Sequence, residues 1–228
     1  MKKSVLRTLV LSTLMSLSLV SCVFKQSSDK DACLRVNGHE AVDLGLSVKW
    51  ATCNVGAESP EEYGGYYAWG ETEEKSSYRC NTYKYHDNNA LSYIDIGTDI
   101  SGTSYDVARV KWGGNWRMPT FDEIKELYDK CSREWTEVNG VKGQKITGPN
   151  GNSIFLPAAG IRNSTELYLD SMEGYYCSAT FNTNNPNIID KDNDGQYVHI
   201  LQIAHKGYMT YESFHFRHSG YSIRPVIE

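Results

Sequence analysis

Three carboxylates on alternate positions, Asp190, Asp192 and Asp194, are followed directly by Gly195. A D-x-D-x-D-G run can set oxygen ligands round a hard cation while the glycine turns the chain sharply, so calcium is one reading. Position twelve of an EF-hand loop would be Leu201 instead of the bidentate Glu, which leaves the set short of ligands; a solvated acidic turn is the other reading. Histidine offers less. His39-Glu40 continues as Ala41-Val42-Asp43, so the second histidine of a zinc H-E-x-x-H motif is missing, and neither a G-x-S-x-G elbow nor a P-loop occurs. His215 and His218 flank Phe216-Arg217, but on a strand an i, i+3 pair points to opposite faces, which argues against a shared metal. The expectation is a protein that binds and does not catalyse.

What the chain has in excess is amphipathic rings: 16 Tyr, 5 Trp and 6 Phe, with 19 Gly to shape loops. In the C-terminal half, aromatic residues and histidines are interleaved with Asn, Ser and Thr, a mixture that offers apolar ring faces beside hydrogen-bonding groups. Tyr197, His199, Tyr208, Tyr211, Phe214 and His215 form the candidate ligand-binding set, suited to a sugar or a protein surface. Filling a core of Tyr-rich strands accounts for the same rings equally well. Trp50, Trp112 and Trp116 are expected in the core. Residues 182–195, a run of Asn, Thr, Pro and Asp, are too polar for a core and too long for a hairpin turn, which places them on the surface.

A different chemistry is written at the N-terminus. Lys2, Lys3 and Arg7 precede an apolar stretch from Leu9 to Val20, short for a bilayer span and suited to a signal peptide. It ends in Leu19-Val20-Ser21-Cys22, which resembles the bacterial lipobox, so Cys22 is expected to be lipidated and residues 1–21 removed. Two or three acyl chains, each CH2 contributing roughly 0.8 kcal/mol, would hold the protein on a membrane. Phe24 stands two places after Cys22 and no inner-membrane retention Asp is present, so outer-membrane sorting is expected, with surface exposure a further option. Residues 23–33 read as a polar tether, within which Ser28-Asp29-Lys30-Asp31 faintly resembles an acidic export tag. Cys33, Cys53, Cys80, Cys131 and Cys177 remain, an odd number at long spacings without a zinc pattern; one disulfide is compatible with them, its pairing open.

The formal charge is -5, from 23 basic and 28 acidic residues, and removal of residues 1–21 lowers it to -8 because three cations and no acid leave with them. No basic block occurs, which excludes a nucleic-acid surface built on phosphate neutralisation. Residues 34–228 read as one domain of even composition. Within it Thr120-Phe121-Asp122-Glu123 is a capping box, and Ile124, Leu127, Tyr128 and Cys131 follow at i, i+3, i+4 and i+7, which predicts a helix of about three turns. Residues 42–51 read as strand and turn, and 63–99 as mostly ordered loop. Residues 145–147 and 153–157 read as strands about a Gly-Pro-Asn-Gly-Asn turn, with further strands near 174–178, 196–203 and 222–226. The fold class is α+β, with two short helices, short antiparallel strands and long loops.

Four stretches together resemble one family: Asp43-Leu44-Gly45-Leu46-Ser47-Val48-Lys49-Trp50-Ala51, Trp112-Gly113-Gly114-Asn115-Trp116-Arg117-Met118-Pro119-Thr120, Leu156-Pro157-Ala158-Ala159-Gly160, and Gly220-Tyr221-Ser222-Ile223-Arg224-Pro225-Val226. They are similar to the Fibrobacter succinogenes major paralogous domain and its relatives among Bacteroides surface lipoproteins, over most of 40–228. The resemblance implies a C-type-lectin-like fold of the superfamily that includes formylglycine-generating enzyme, with a fixed scaffold and variable ligand-binding loops before the last strand. It implies no single activity. The closely spaced cysteine pair of the formylglycine-generating relatives has no counterpart, because no Cys follows Cys177. Arg117 and Arg224 are expected to serve the scaffold. Asp170-Ser171-Met172 resembles a short O-glycosylation motif at Ser171. The functional expectation is a non-catalytic, adhesin-like module for glycan or protein. A fimbrial or envelope-assembly subunit, or an enzyme acting on glycan or peptidoglycan, are the alternatives.

Overall fold

Asn37 and Gly38, with φ of 49° and 85°, make the tight turn that lets β1 (Cys33–Val36) fold back on β2 (His39–Val42). The computed structural model describes residues 33–181 and 196–228. β3 (Lys49–Ala51) extends the same sheet, and the far end of the chain, β14 (Val226–Ile227), pairs with it so that Val226 lies opposite Trp50. The strands at the two ends of the described chain thus share one four-stranded sheet. The long segment after β3 carries a 3-10 turn at Cys80–Thr82 and a small hairpin of β4 (His86–Asp87) and β5 (Ser92–Tyr93), in keeping with a mostly loop reading.

Two helices follow. α1 (Val107–Trp112) is capped by Asp106, a fully buried carboxylate that accepts from the backbone N–H groups of Ala108, Arg109, Gly102 and Met118 at 2.8–3.1 Å. It spans less than two turns, too few for a hydrophobic period to announce it. α2 (Phe121–Lys130) begins where the capping box predicts: Thr120 Oγ1 accepts from Glu123 N at 3.3 Å and the Glu123 carboxylate accepts from Thr120 N at 2.8 Å. Ile124 and Leu127 are buried, with Tyr128 and Cys131 partly buried beside them.

The remaining strands are antiparallel. β6 (Ser132–Val138), β7 (Val141–Thr147) and β8 (Ser153–Pro157) form a meander, and β9 (Ile161–Asn163) pairs with β10 (Glu166–Tyr168). β11 (Glu173–Phe181), β12 (Tyr197–Ala204) and β13 (Met209–Phe216) form the third sheet. This sheet is packed on both sides: Tyr175, Cys177, Val198 and Ile200 face one core cluster, and Tyr176, Leu201, Ile203 and Met209 face another. Along β12 ordinary alternation sends Val198 and Ile200 to one core and Leu201 and Ile203 to the other, while the register shift between Ile200 and Gln202 puts the extra residue on β13.

The architecture is a sheet-rich α+β fold. Trp50, Trp112 and Trp116 are buried, as expected. Arg224 is buried at 1% exposure and donates to Asn54 Oδ1, to the carbonyls of Ala51 and Thr52, and to that of Phe155, tying the C-terminal segment to β3 and β8. A Cβ at Gly220 would lie 2.6 Å from the Tyr78 ring, so that position must be glycine for the segment to pass. Two readings need correction. The strand expected at 222–226 reduces to Val226–Ile227, with Ser222 in an isolated bridge to Tyr176, and Pro225 between them has no N–H to give a ladder. β6 was not anticipated, since Ser132–Val138 is an exposed hairpin arm held by pairing with β7 and carries no apolar alternation. Cys53, Cys80, Cys131 and Cys177 are free thiols, and no disulfide occurs among the described residues; the side chain of Cys33 lies outside them.

Candidate functional site

The six rings singled out from sequence do not gather on one surface. His199 and Tyr211 turn toward α2: His199 lies 4.0 Å from the Phe121 ring, and Tyr211 lies 5.7 Å from Phe121 and 4.9 Å from Tyr128, with the Lys125 ammonium 5.6 Å above it. These two rings pack the helix onto the third sheet, and burial lowers the pKa of His199. His215 points to the opposite side, edge-on to Tyr175 at 5.1 Å. There the Glu173 carboxylate accepts from Tyr175 Oη and from Gln202 Nε2, the latter at 2.8 Å. Burial lowers the pKa of His215 and nearby Glu173 partly opposes that shift. Tyr208 is 53% exposed on the turn between β12 and β13, and its carbonyl accepts from buried Gln144 at 2.7 Å. Phe214 is paired through its backbone with His199, while its side chain lies outside the described residues. So do Asp190, Asp192 and Asp194 with the rest of 182–195, and Cys22 with residues 23–32 of the expected tether, whose last residue, Cys33, is the first of β1. Among the described residues no group of three or more His, Cys, Asp or Glu could hold a metal ion.

Tyr197 instead joins rings outside the six-residue candidate set. It sits opposite Phe216 across β12 and β13, and the two rings stack at 5.1 Å. Phe216 stacks on His218 at 5.1 Å, and His218 lies parallel to Tyr93 at 6.5 Å. His86, opposite Tyr93 in the β4–β5 hairpin, meets that ring edge-on at 5.1 Å. The five residues form a continuous ladder across two parts of the chain that lie more than a hundred residues apart. Phe216 is 40% exposed and the other four are half-buried, so the ladder reaches solvent along its length.

Polar atoms are threaded through it. Tyr93 Oη lies 3.0 Å from His218 Nδ1, and Cys80 Sγ donates to the same hydroxyl at 3.6 Å. Burial, then the charges of Lys75 and His86, depress His218 to about 4, so at neutral pH it is an uncharged imidazole that can accept from Tyr93. His86 Nδ1 is 2.8 Å from Asn88 Oδ1. Ring faces inside the stack are used by neighbouring rings. What reaches solvent is therefore a ridge of ring edges, the open part of Phe216, hydroxyls and imidazole nitrogens, held by aromatic contacts. Such a ridge can bind an amphipathic ligand with little loss of side-chain freedom. The local signals were present in Phe216-x-His218 and in the His86 and Tyr93 pair flanking a polar turn. Nothing in either stretch points to the other.

Comparison with protein-family models, curated proteins and solved structures finds no match for this chain. No helix among the described residues is long and apolar enough to cross a membrane.

Proposed function

We propose that this protein is a lipid-anchored glycan-binding module of the outer membrane. On this reading Cys22 is the acylated residue, 22–32 is the tether, and the remainder is a non-catalytic recognition domain on a C-type-lectin-like scaffold. The observation that carries it is the ladder of Tyr197, Phe216, His218, Tyr93 and His86, in which apolar ring surface alternates with hydrogen-bonding tips. A saccharide has the complementary pattern of C–H patches and hydroxyls, and rigid rings bind it at low entropic cost. The scaffold assignment is supported by the pairing of β3 with β14, the buried roles of Trp116 and Arg224, and the helix that opens after the Trp116-Arg117-Met118-Pro119 run.

The test is a glycan array probed with the purified protein, with and without calcium, followed by titration of any hit against Phe216→Ala. Expected is binding that Phe216→Ala weakens by about tenfold, the equivalent of about 1.4 kcal/mol, with its melting temperature little changed. No glycan binding, together with capture of an envelope protein lost in Phe216→Ala, would make the ligand a protein. Binding that Phe216→Ala leaves intact would remove the ladder as its site. The anchor has its own test: Cys22→Ala should move the protein to the soluble fraction, and continued membrane partition as an acylated species would overturn it.

A further inference from the structure

Arg217 lies between the ladder residues Phe216 and His218 in sequence but points inward, at 3% exposure. Its guanidinium carbon lies 4.8 Å from the Trp69 ring centroid, 5.3 Å from Tyr83, 5.4 Å from Tyr93 and 5.7 Å from Phe181. Arg217 Nε donates to Tyr83 Oη at 2.8 Å and Nη2 to the Ile94 carbonyl at 3.4 Å. Its backbone accepts from Trp69 N at 2.9 Å and donates to the Gln196 carbonyl at 2.7 Å.

Apart from Trp69 and Phe181, which line the site from elsewhere, these contacts fall on the two halves of the ladder. Tyr83, Tyr93 and Ile94 belong to the segment that carries the rungs Tyr93 and His86, while Gln196 and Arg217 adjoin the rungs Tyr197, Phe216 and His218. Backbone hydrogen bonds between β12 and β13 align Tyr197 with Phe216. The junction between His218 and Tyr93, by contrast, crosses from one segment to the other through a ring stack and one hydrogen bond. A planar cation with a fixed fork of donors suits such a junction, because it can lie against several ring faces and bond in defined directions at once.

We infer that Arg217 is the positioning residue of the ladder, the side chain that holds the 83–94 segment in register with the end of β13 so that five rings form one surface. The inference rests on the ladder being the ligand surface for its functional meaning, but the positioning itself can be read without any ligand. A ligand that spans the junction needs both halves aligned, so loss of Arg217 costs a long saccharide chain more than a short one.

The experiment compares wild type, Arg217→Lys and Tyr83→Phe as full chains. Tyr83→Phe deletes the oxygen that Arg217 Nε donates to and keeps the ring, which provides a mild variant should Arg217→Lys fail to fold. The readout is the NMR titration of the His218 imidazole, taken well below each melting temperature. Expected is a His218 midpoint that rises from about 4 toward the ordinary histidine value, because an opened junction hydrates the ring. A general loss of stability would not move that midpoint in the molecules that remain folded. An unchanged midpoint in whichever variants fold would overturn the positioning role. A shifted midpoint in a protein that binds no glycan would uphold it while refuting the glycan reading.

Discussion

Arg224 offers the sharpest test of how the scaffold is held. It is buried without a carboxylate partner among the described residues, and burial pulls its pKa below the ordinary arginine value. Its charge is met by neutral oxygens: Asn54 Oδ1 at 2.9 Å and the carbonyls of Ala51 at 3.0 Å, Thr52 at 2.6 Å and Phe155 at 2.9 Å. Arg224→Met keeps most of the alkyl volume and orphans four acceptors. An unsatisfied buried group costs about 1–3 kcal/mol, and relief of the buried charge offsets part of this, so about 1 kcal/mol each is the appropriate value. The sum, about 4 kcal/mol, is a large share of a typical domain's stability and corresponds to a fall of about 8–16 °C in melting temperature. Arg224→Lys retains the charge but brings at most three donors from a single nitrogen, so it should be no more stable than the Met variant. Circular-dichroism melts of the three proteins decide the matter. A fall of less than about 3 °C for Arg224→Met, or recovery by Lys, would show that the fork of hydrogen bonds is not what holds these strands together.

The other predictions concern helix α2, the aromatic residues and the thiols. Burial alone would push the Glu123 carboxyl up, but Arg117 at 2.6 Å and the Thr120 N–H hold it below its ordinary value. Its contribution, about 1.5–3 kcal/mol, is therefore present above the unfolded carboxylate pKa of about 4.3 and is lost as pH falls through the lower folded value. Urea melts from pH 7 to 3 should show that acid loss in wild type and a flatter profile in Glu123→Gln. Tyr211→Ala should lose about 1–3 kcal/mol, because its ring packs on Phe121 and Tyr128, whereas Tyr208→Ala should change stability by less than about 0.5 kcal/mol. Equal losses in chemical denaturation would contradict the different placement of the two rings. Native-state alkylation followed by peptide mapping should leave Cys177 unmodified until the protein unfolds, since burial both hides that thiol and raises its pKa.

Local chemistry explains which parts of this fold were legible in the sequence. Helix α2 was readable because Thr120 and Glu123 satisfy each other's backbone and because Ile124 and Leu127 recur at helical spacing. The β7–β8 turn was readable because Gly148-Pro149-Asn150-Gly151-Asn152 admits little else. Two short helices were expected but α1 was not located, for a physical reason: it is six residues long and is fixed by one buried carboxylate whose four donors come from Gly102, Ala108, Arg109 and Met118. The aromatic strands were recognised as rich in rings, but sequence could not say which side each ring takes. A sheet buried on both faces, with a register shift that puts an extra residue on β13, breaks the simple alternation that would have assigned them.

The same reasoning explains why the ladder was hidden although every rung was in view. His215 and His218 were read as pointing apart, and the structure has His215 against Tyr175 and His218 against Phe216 and Tyr93. What the local pattern could not supply was the partner surface, because Tyr93 and His86 reach His218 only after the 63–99 segment has folded across the end of β13. Arg217 shows the cost of that arrangement: a full cation is carried to 3% exposure, surrounded by four rings, at the place where the two segments meet. A junction needed only for packing could be made by an apolar side chain of similar volume, which avoids the desolvation of a guanidinium. The directional bonds from Arg217 to Tyr83 Oη and the Ile94 carbonyl add what an apolar side chain lacks, a defined register between the segments. Register matters most where rings from both segments must present one surface to the same ligand.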